Sequence, residues 1–511
     1  MSEQDEVLEF LARPESYGLA ASEPVLRIDT HISAVFLAGD KAYKLKKSVR
    51  LPFLDFSTLA AREKFCRAEL AVNRRTAPDL YLDVVPVTKA ADGFELGGKG
   101  EILDWLVAMR RFDQAERLDQ LFKAGELDRH AVMDLAEAVA AFHLQAEARP
   151  DFGGRQGLAH VIATNDATFA QTDLPRDRTL ELKRLSLERL EAARPVLEAR
   201  RLQGYVRRVH GDLHLGNVFR HNGKPVLFDA IEFNEDFACV DTLFDLAFLL
   251  MDLEHGGYRG LASVLFNHYL PNAGEWAGGE TGGLKALPLF LSLRAAIRAH
   301  VQATRAKQEG GDKAGRDLWE AAQYLEAALL YLDPPPPRLC AVGGLSGSGK
   351  SRLARELAPF LGASPGALVL RSDVIRKRLA GKSMFEKLPP EAYGAEMTIR
   401  TFETLFAEAE AALKAGHSVI CDAVFARPEQ RQRLSDMAGR LNIPLTAGWA
   451  EAPPDILQHR VKTRTRNASD ATEAVLEMQF GYDLGALDWP RIDTSGDKER
   501  SLALARRALR I

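Results

Sequence analysis

Cysteine is scarce in this 511-residue chain, and the four present, Cys66, Cys239, Cys340 and Cys421, stand far apart with no C-x-x-C pair. That spacing excludes a disulfide-stapled fold and a thiolate zinc or redox site, and it leaves buried thiols in a reducing compartment. An excess of charge of one sign is also missing. Lys and Arg total 67 against 71 Asp and Glu, so no global field favours duplex DNA or an anionic membrane. No stretch approaches the ~18 uninterrupted apolar residues of a spanning helix. The stretch MSEQDEVLEF lacks the basic and apolar regions of a secretory leader, so a cytoplasmic location is the expectation. Internal repeats and low-complexity tracts are absent as well. What remains is an ordinary globular composition, 46% hydrophobic and 27% charged, on a chain too long for one hydrophobic core.

The clearest boundary is DPPPPR at 333–338, because four consecutive prolines cannot continue a helix and favour a stiff spacer. It predicts a first domain over 1–332, a proline linker at 333–337 and a second domain over 338–511. Residues 28–49 alternate apolar and polar side chains across Gly39-Asp40, which predicts a β-hairpin in a strand-rich small lobe over about 20–110. Helical periodicity at 129–146, 178–202, 240–253 and 289–308 predicts a mostly helical large lobe over about 111–332. The polar, Gly-rich stretch at 272–283 reads as a loop. Beyond the linker, short apolar strands at 338–343, 367–372, 417–421 and 445–450 alternate with helices, the pattern of a parallel sheet covered by helices.

Two phosphate-handling signatures stand out, HGDLHLGN at 210–217 and GLSGSGKS at 344–351. The first sits in VHGDLHLGNVFRHNGKPVLFDAIEF, where Asn222-Gly223 is the preferred centre of a two-residue hairpin turn. Pairing outward from that turn brings Asn217 beside Phe228 and Asp229, with Asp212 on the preceding loop. An amide and a carboxylate there offer magnesium hard oxygen ligands beside nucleotide phosphates, and Asp212 is placed to accept the proton of an attacking hydroxyl. An Asn-Gly hairpin with nearby acids also occurs in proteins that catalyse nothing, but the full set in register argues against that. Asp241 and Asp245 read as a helix cap or buried braces. Arg294, Arg298 and His300 fall near one helix face, as an anion contact or a solvated basic face.

These residues resemble the aminoglycoside phosphotransferase and choline kinase branch of the protein-kinase-like fold, over roughly residues 20–330. The resemblance implies a two-lobed α+β domain with Asp212 as catalytic base and Asn217 and Asp229 on magnesium. In AYKLKK it implies Lys44 as the nucleotide-binding lysine, with Lys46 as rival on the same strand face, and Glu69 as its ion-pair partner. The chain departs from many kinases in having THISAVFL where a G-x-G-x-x-G loop is expected. Glu232, Glu235 and Asp236 lie close enough in sequence to attract a polycationic acceptor or to serve structure alone.

In the second signature, Gly344, Ser346, Gly347, Ser348 and Gly349 form a loop whose N–H groups cradle phosphate, reinforced by the positive end of the helix that follows. Lys350 reaches the β and γ phosphates and Ser351 ligates magnesium. Asp373 in LVLRSD and Asp422 in HSVICDAVF follow strands and face one crevice. Asp373 is the candidate general base or hydroxyl anchor, and Asp422 the candidate magnesium partner. The basic run with Arg460, Arg464 and Arg466 reads as a lid, with Arg464 the candidate for the transferring phosphoryl group, or as an exposed helix. The combination resembles small P-loop kinases such as gluconate kinase, chloramphenicol phosphotransferase, zeta toxin and polynucleotide kinase, and implies an α/β domain with a parallel sheet.

The sequence thus predicts a bifunctional phosphotransferase using ATP or GTP with Mg2+ on small hydroxyl-bearing metabolites. Sugars, cyclitols, nucleosides and aminoglycoside-like alcohols all fit. No nucleic-acid or membrane partner is expected, and no feature sets an oligomeric state. Two other readings of the second domain stand: a regulatory ATPase switch, or a polynucleotide 5′-kinase, which needs a basic, aromatic-lined channel.

Overall fold

The computed structural model describes residues 3–51, 54–91, 93–274, 282–308, 311–463 and 468–511. Its contacts group into two compact units, residues 1–153 with 204–249, and residues 154–203 with 250–511.

The first unit is built on an antiparallel sheet of β1 (Leu26–Asp29), β2 (Ser33–Ala38), β3 (Lys41–Lys46), β4 (Tyr81–Ala90), β5 (Gly93–Leu96) and β6 (Glu101–Arg110), in the order β1-β2-β3-β6-β4-β5. The β2–β3 hairpin turns at Gly39-Asp40, with Ala38 opposite Lys41. Two-residue alternation gives each strand an inner and an outer set of side chains. Phe36, Tyr43, Leu45 and Leu106 meet Val7 and Leu11 of the helix Glu3–Leu11. Leu37, Ala42 and Val107 meet Cys66 of the helix Leu59–Asn73, whose first turn is capped by the Thr58 side chain. Lys44 and Lys46 share the parity of Ala42, so both point toward this second helix.

Beyond the sheet, β7 (Val206–Arg208) pairs with β10 (Cys239–Asp241), bracketing the hairpin of β8 (Val218–His221) and β9 (Lys224–Leu227). Asn222 and Gly223 turn that hairpin with φ of 49° and 75°, the left-handed pair that such a turn requires.

In the second unit, the helices Gly154–Phe169, Arg176–Leu202, Arg259–Asn272, Leu287–Gln308 and Gly311–Leu332 precede a parallel sheet. Its strands are β11 (Leu339–Gly343), β12 (Leu368–Arg371), β13 (Val419–Asp422), β14 (Leu445–Glu451) and β15 (Arg491–Asp493), in the order β12-β13-β11-β14-β15. Cys340, Val342, Ile420 and Ala450 of the sheet close on Leu353 and Leu357 of the helix Lys350–Leu357 and on Leu509 of the helix Lys498–Leu509. All four cysteines are free and buried. Among the described residues no helix is long and apolar enough to cross a membrane. Of the Gly-rich stretch at 272–283, residues 275–281 lie outside the described residues.

Candidate functional site

The first signature, HGDLHLGN, occupies the turn between β7 and β8. Asn217 closes it: its N–H donates to the His214 carbonyl (2.9 Å) and its carbonyl accepts the Phe228 N–H (3.0 Å), so the hairpin sets its position. The Asn217 amide donates to the Asp212 carbonyl (3.0 Å) and to Asp212 Oδ2 (3.2 Å), bringing the two side chains together. The Asp212 carboxylate remains 40% exposed, with His214 Nε2 at 3.5 Å.

Asp245 braces this loop from beneath. It is fully buried and accepts the N–H groups of His210 (3.2 Å) and Gly211 (2.9 Å) and an Nε2 contact from His143 (3.1 Å). Asp241 accepts the Leu243 N–H (2.8 Å) at the start of the helix Thr242–His255. Both acids therefore have the capping and bracing geometry expected of them. Burial holds the His210 imidazole below its ordinary pKa, so the neutral ring donates through Nε2 to the Phe228 carbonyl (2.9 Å).

Asp229 lies at the open end of the hairpin with φ of 63°, a left-handed conformation uncommon outside glycine. Its N–H donates to the Tyr81 hydroxyl (3.1 Å) and the next N–H, of Ala230, donates to Asn73 Oδ1 (2.8 Å). The turn thus aims the carboxylate at Lys44, whose Nζ lies 2.6 Å from Asp229 Oδ1 and 2.8 Å from Glu69 Oε1. Lys46 contacts Glu69 through its other oxygen (2.6 Å) and Glu232.

One buried glutamate therefore serves both lysines, and the partners differ. Lys44 faces the half-exposed Asp229, whereas Lys46 is 1% exposed and closed in by Glu232 and the Phe56 ring. Burial opposes charge on Lys44, but Asp229 and Glu69 outweigh it and hold its pKa well above the lysine range. Burial likewise works against the Glu69 carboxylate, and the two ammonium groups overcome it, bringing its pKa to about 2. Glu232 is raised, because burial is only partly offset by Lys46.

Of the acids Glu232, Glu235 and Asp236, the first two are already paired. Glu235 pairs with Arg149 (2.7 Å) and with Arg208, as Glu232 does with Lys46. In the second unit, Arg294 is buried and His300 contacts Asn165 Oδ1 (3.2 Å), so of the two readings of these residues, anion contact or solvated basic face, the second does not hold for Arg294.

The second signature forms the loop between β11 and the helix Lys350–Leu357. Two of its glycines are required by space: a Cβ on Gly347 (φ 81°) would lie 2.6 Å from the Leu457 carbonyl oxygen, and one on Gly344 (φ 143°) would overlap the Ala450 carbonyl. The Thr494 hydroxyl donates to the Ser348 carbonyl (2.7 Å), Arg460 donates to the Thr494 carbonyl (2.6 Å), and the Ser346 N–H is held by Gln479 Oε1 (2.8 Å). Lys350 is buried at the helix start, followed by Ser351, and Gly349 provides the left-handed cap. Burial, with Arg352 adding repulsion, lowers the Arg460 pKa.

β12 and β13 end in register, with Arg371 opposite Asp422, and Asp422 also lies beside Val342 of β11. Arg371 Nε donates to Asp422 Oδ2 (3.2 Å); Asp422 Oδ1 is buried without a hydrogen-bond partner among the described residues. Asp373 falls in the first turn of the helix Ser372–Leu379, directly after β12. Arg464 and Arg466, the expected lid arginines, lie outside the described residues. Sequence reasoning had no signal for Gln479 and Thr494, which reach the loop from distant segments, or for Arg371, which meets Asp422 on the neighbouring strand. Asp470, which gathers Lys377 (2.9 Å), the Tyr393 hydroxyl (2.9 Å) and the Leu388 N–H (3.0 Å), was missed for the same reason.

A kinase-like catalytic loop and a phosphate loop on a parallel sheet define the chain as a phosphotransferase built from two kinase-family segments. Family models agree: residues 37–280 match a phosphotransferase enzyme family and residues 339–482 an AAA domain. Over 498 residues, covering 94% of this chain and 95% of theirs, it is 30% identical to uncharacterized proteins of Mycobacterium tuberculosis and Mycobacterium bovis. The chain belongs to the family of these mycobacterial proteins. Solved structures similar to parts of it include a choline/ethanolamine kinase family protein from Mesorhizobium loti, at 14% identity and TM-score 0.38, covering 64% of this chain and 100% of that one. Another is the APS kinase of Mycobacterium tuberculosis, at 20% identity and TM-score 0.26, covering 35% of this chain and 99% of that one.

Proposed function

We propose that the chain is bifunctional, each kinase segment transferring a phosphoryl group from ATP or GTP to a hydroxyl of a small metabolite. The observation that carries the reading is the convergence of Asp212, Asn217, Asp229, Lys44 and Glu69 in one unit, beside a separately formed phosphate loop. In the first site Asp212 accepts the proton of the acceptor hydroxyl as the hydroxyl oxygen bonds to the γ-phosphorus and the bond from that phosphorus to the β,γ-bridging oxygen breaks, releasing the nucleoside diphosphate, while Lys44, fixed by Glu69, holds the donor phosphates. The donor sets fit magnesium: Asn217 and Asp229 supply hard oxygens in the first site, and Ser351 with the unpartnered Asp422 oxygen does so in the second. When bound, the metal neutralises charge on the phosphates. In the second site Lys350 and the loop amides grip the phosphates, and Asp373 orients or deprotonates the acceptor.

The cations already paired to Glu232 and Glu235 favour a neutral polyol, cyclitol or nucleoside over a polycationic acceptor. Transfer of labelled γ-phosphate into polar metabolites, compared between wild type and Asp212→Ala, tests the first assignment. Loss of label with nucleotide binding retained supports it, and full activity in the variant overturns it.

A further inference from the structure

The phosphate-loop sheet has an open edge at β12, and that edge is not left to water. Toward the sheet interior, the Leu368 N–H donates to the Ser418 carbonyl (2.9 Å). On the opposite side the Ala367 carbonyl and Val369 N–H point to where another strand would lie. The Asn267 side chain occupies that place: Nδ2 donates to the Ala367 carbonyl (3.1 Å) and Oδ1 accepts the Val369 N–H (2.7 Å). A primary amide carries the same donor and acceptor as a peptide group, so one asparagine does the work of one residue in a neighbouring strand.

Asn267 belongs to the helix Arg259–Asn272, within the stretch that matches the phosphotransferase family, whereas β12 belongs to the stretch that matches the AAA domain. The same helix holds the runs leading into β12 and β13 at further points. Arg259 donates to the Gly362 carbonyl (2.8 Å), and the buried Phe266 ring packs on His417 at 5.3 Å between centroids. Burial keeps His417 neutral, with its pKa lowered to about 4, and its Nε2 donates to the Gly366 carbonyl (3.0 Å). Two residues beyond Val369 stands Arg371, the group that holds Asp422.

We propose that Asn267 is a positioning residue for the phosphate-loop site: a helix of the first kinase segment completes the edge of the second segment's sheet and sets Arg371 against Asp422. The first segment is then a structural part of the second catalytic centre. The phosphate loop hangs from β11, in the middle of the sheet, so Asn267 acts on turnover more than on nucleotide binding. This rests on the reading of the second site as a nucleotide site.

The test uses the full chain with Asn267→Ala and the conservative Asn267→Asp, which keeps an acceptor for the Val369 N–H. Hydrogen exchange at Val369 and Arg371, ATP affinity, and Lys350-dependent ATP turnover are read together. In Asn267→Ala, Val369 exchange accelerates and turnover falls about tenfold, the equivalent of one lost hydrogen bond, while ATP affinity stays within about twofold. Asn267→Asp restores protection of Val369 and part of the turnover. Unchanged exchange at Val369, or turnover and affinity falling in parallel with exchange rising across the unit, overturns the proposal. Absence of Lys350-dependent turnover in wild type would count against the second site itself, and exchange at Val369 and Arg371 would still decide the role of Asn267.

Discussion

Lys44 and Lys46 lie two residues apart on one strand and share Glu69, yet their other partners differ, Asp229 for one and Glu232 for the other, and replacing each by methionine separates a nucleotide-binding role from a structural one. Lys46→Met removes the cation between Glu69 and Glu232 and leaves Glu232 as a buried carboxylate without its ion-pair partner. Breaking a buried pair by deleting one partner costs about 3–5 kcal/mol. For a unit of this size that lowers the melting temperature by roughly 6–20 °C, at ~2–4 °C per kcal/mol. The sign of the pH dependence follows from Glu232, whose pKa is already raised by burial. A raised carboxyl is stabilised in the fold when protonated, so the deficit of Lys46→Met narrows as pH falls from about 8 to about 5.

Lys44→Met leaves Glu69 still paired to Lys46 and frees only the half-exposed Asp229, so the melting temperature moves little. First-site turnover falls instead, by about 10²–10³-fold, the usual loss for removing one cationic or hydrogen-bonding contact to a transferring group. Thermal melts followed by circular dichroism at several pH values, paired with labelled phosphoryl transfer, check both. A Lys46→Met protein that melts with wild type but cannot transfer phosphate, beside an active Lys44→Met, would refute the assignment.

Asp245→Asn exchanges the buried acceptor of the His210 and Gly211 N–H groups for a neutral amide, and is expected to cost about 1–3 kcal/mol in urea titrations together with a fall in first-site kcat. Gly347→Ala forces a Cβ onto the Leu457 carbonyl at 2.6 Å, so nucleotide binding at the second site is lost in calorimetry while Asp212-dependent transfer persists. His300 and His417 are buried with pKa values lowered to about 4. A depressed histidine contributes stability that is complete above about pH 6.5 and is lost as pH falls toward 4, on the order of 3 kcal/mol each, of which about 2 kcal/mol is lost between denaturant midpoints measured at pH 7.5 and 5.

The legible parts of this molecule are those whose geometry is local. Asn222-Gly223 dictates its own turn, and counting outward from it places Asn217 beside Phe228. Gly344 and Gly347 mark the phosphate loop because nothing larger fits there. The long helices are legible to within two residues, and the start at 129 coincides with a cap, Asp128 accepting the Ala131 N–H (2.8 Å). β15 escaped notice because it is three residues long, with only Ile492 buried. What sequence periodicity could not resolve was which of Lys44 and Lys46 faces the open site, since a period of two gives them the same side; the distinction is made by Glu232, nearly two hundred residues along the chain. Gln479 on the Ser346 N–H and Asn267 on β12 belong to the same class, polar side chains whose role exists only once distant segments meet.

The most direct test of the two-site account is transfer of label from γ-labelled ATP or GTP into a pooled polar-metabolite library by wild type, Asp212→Ala and Lys350→Ala. The account predicts two classes of labelled product, one lost only with Asp212 and the other only with Lys350. A single product abolished equally by both substitutions, or nucleotide hydrolysis lost with Lys350 and no labelled acceptor from either site, would contradict it.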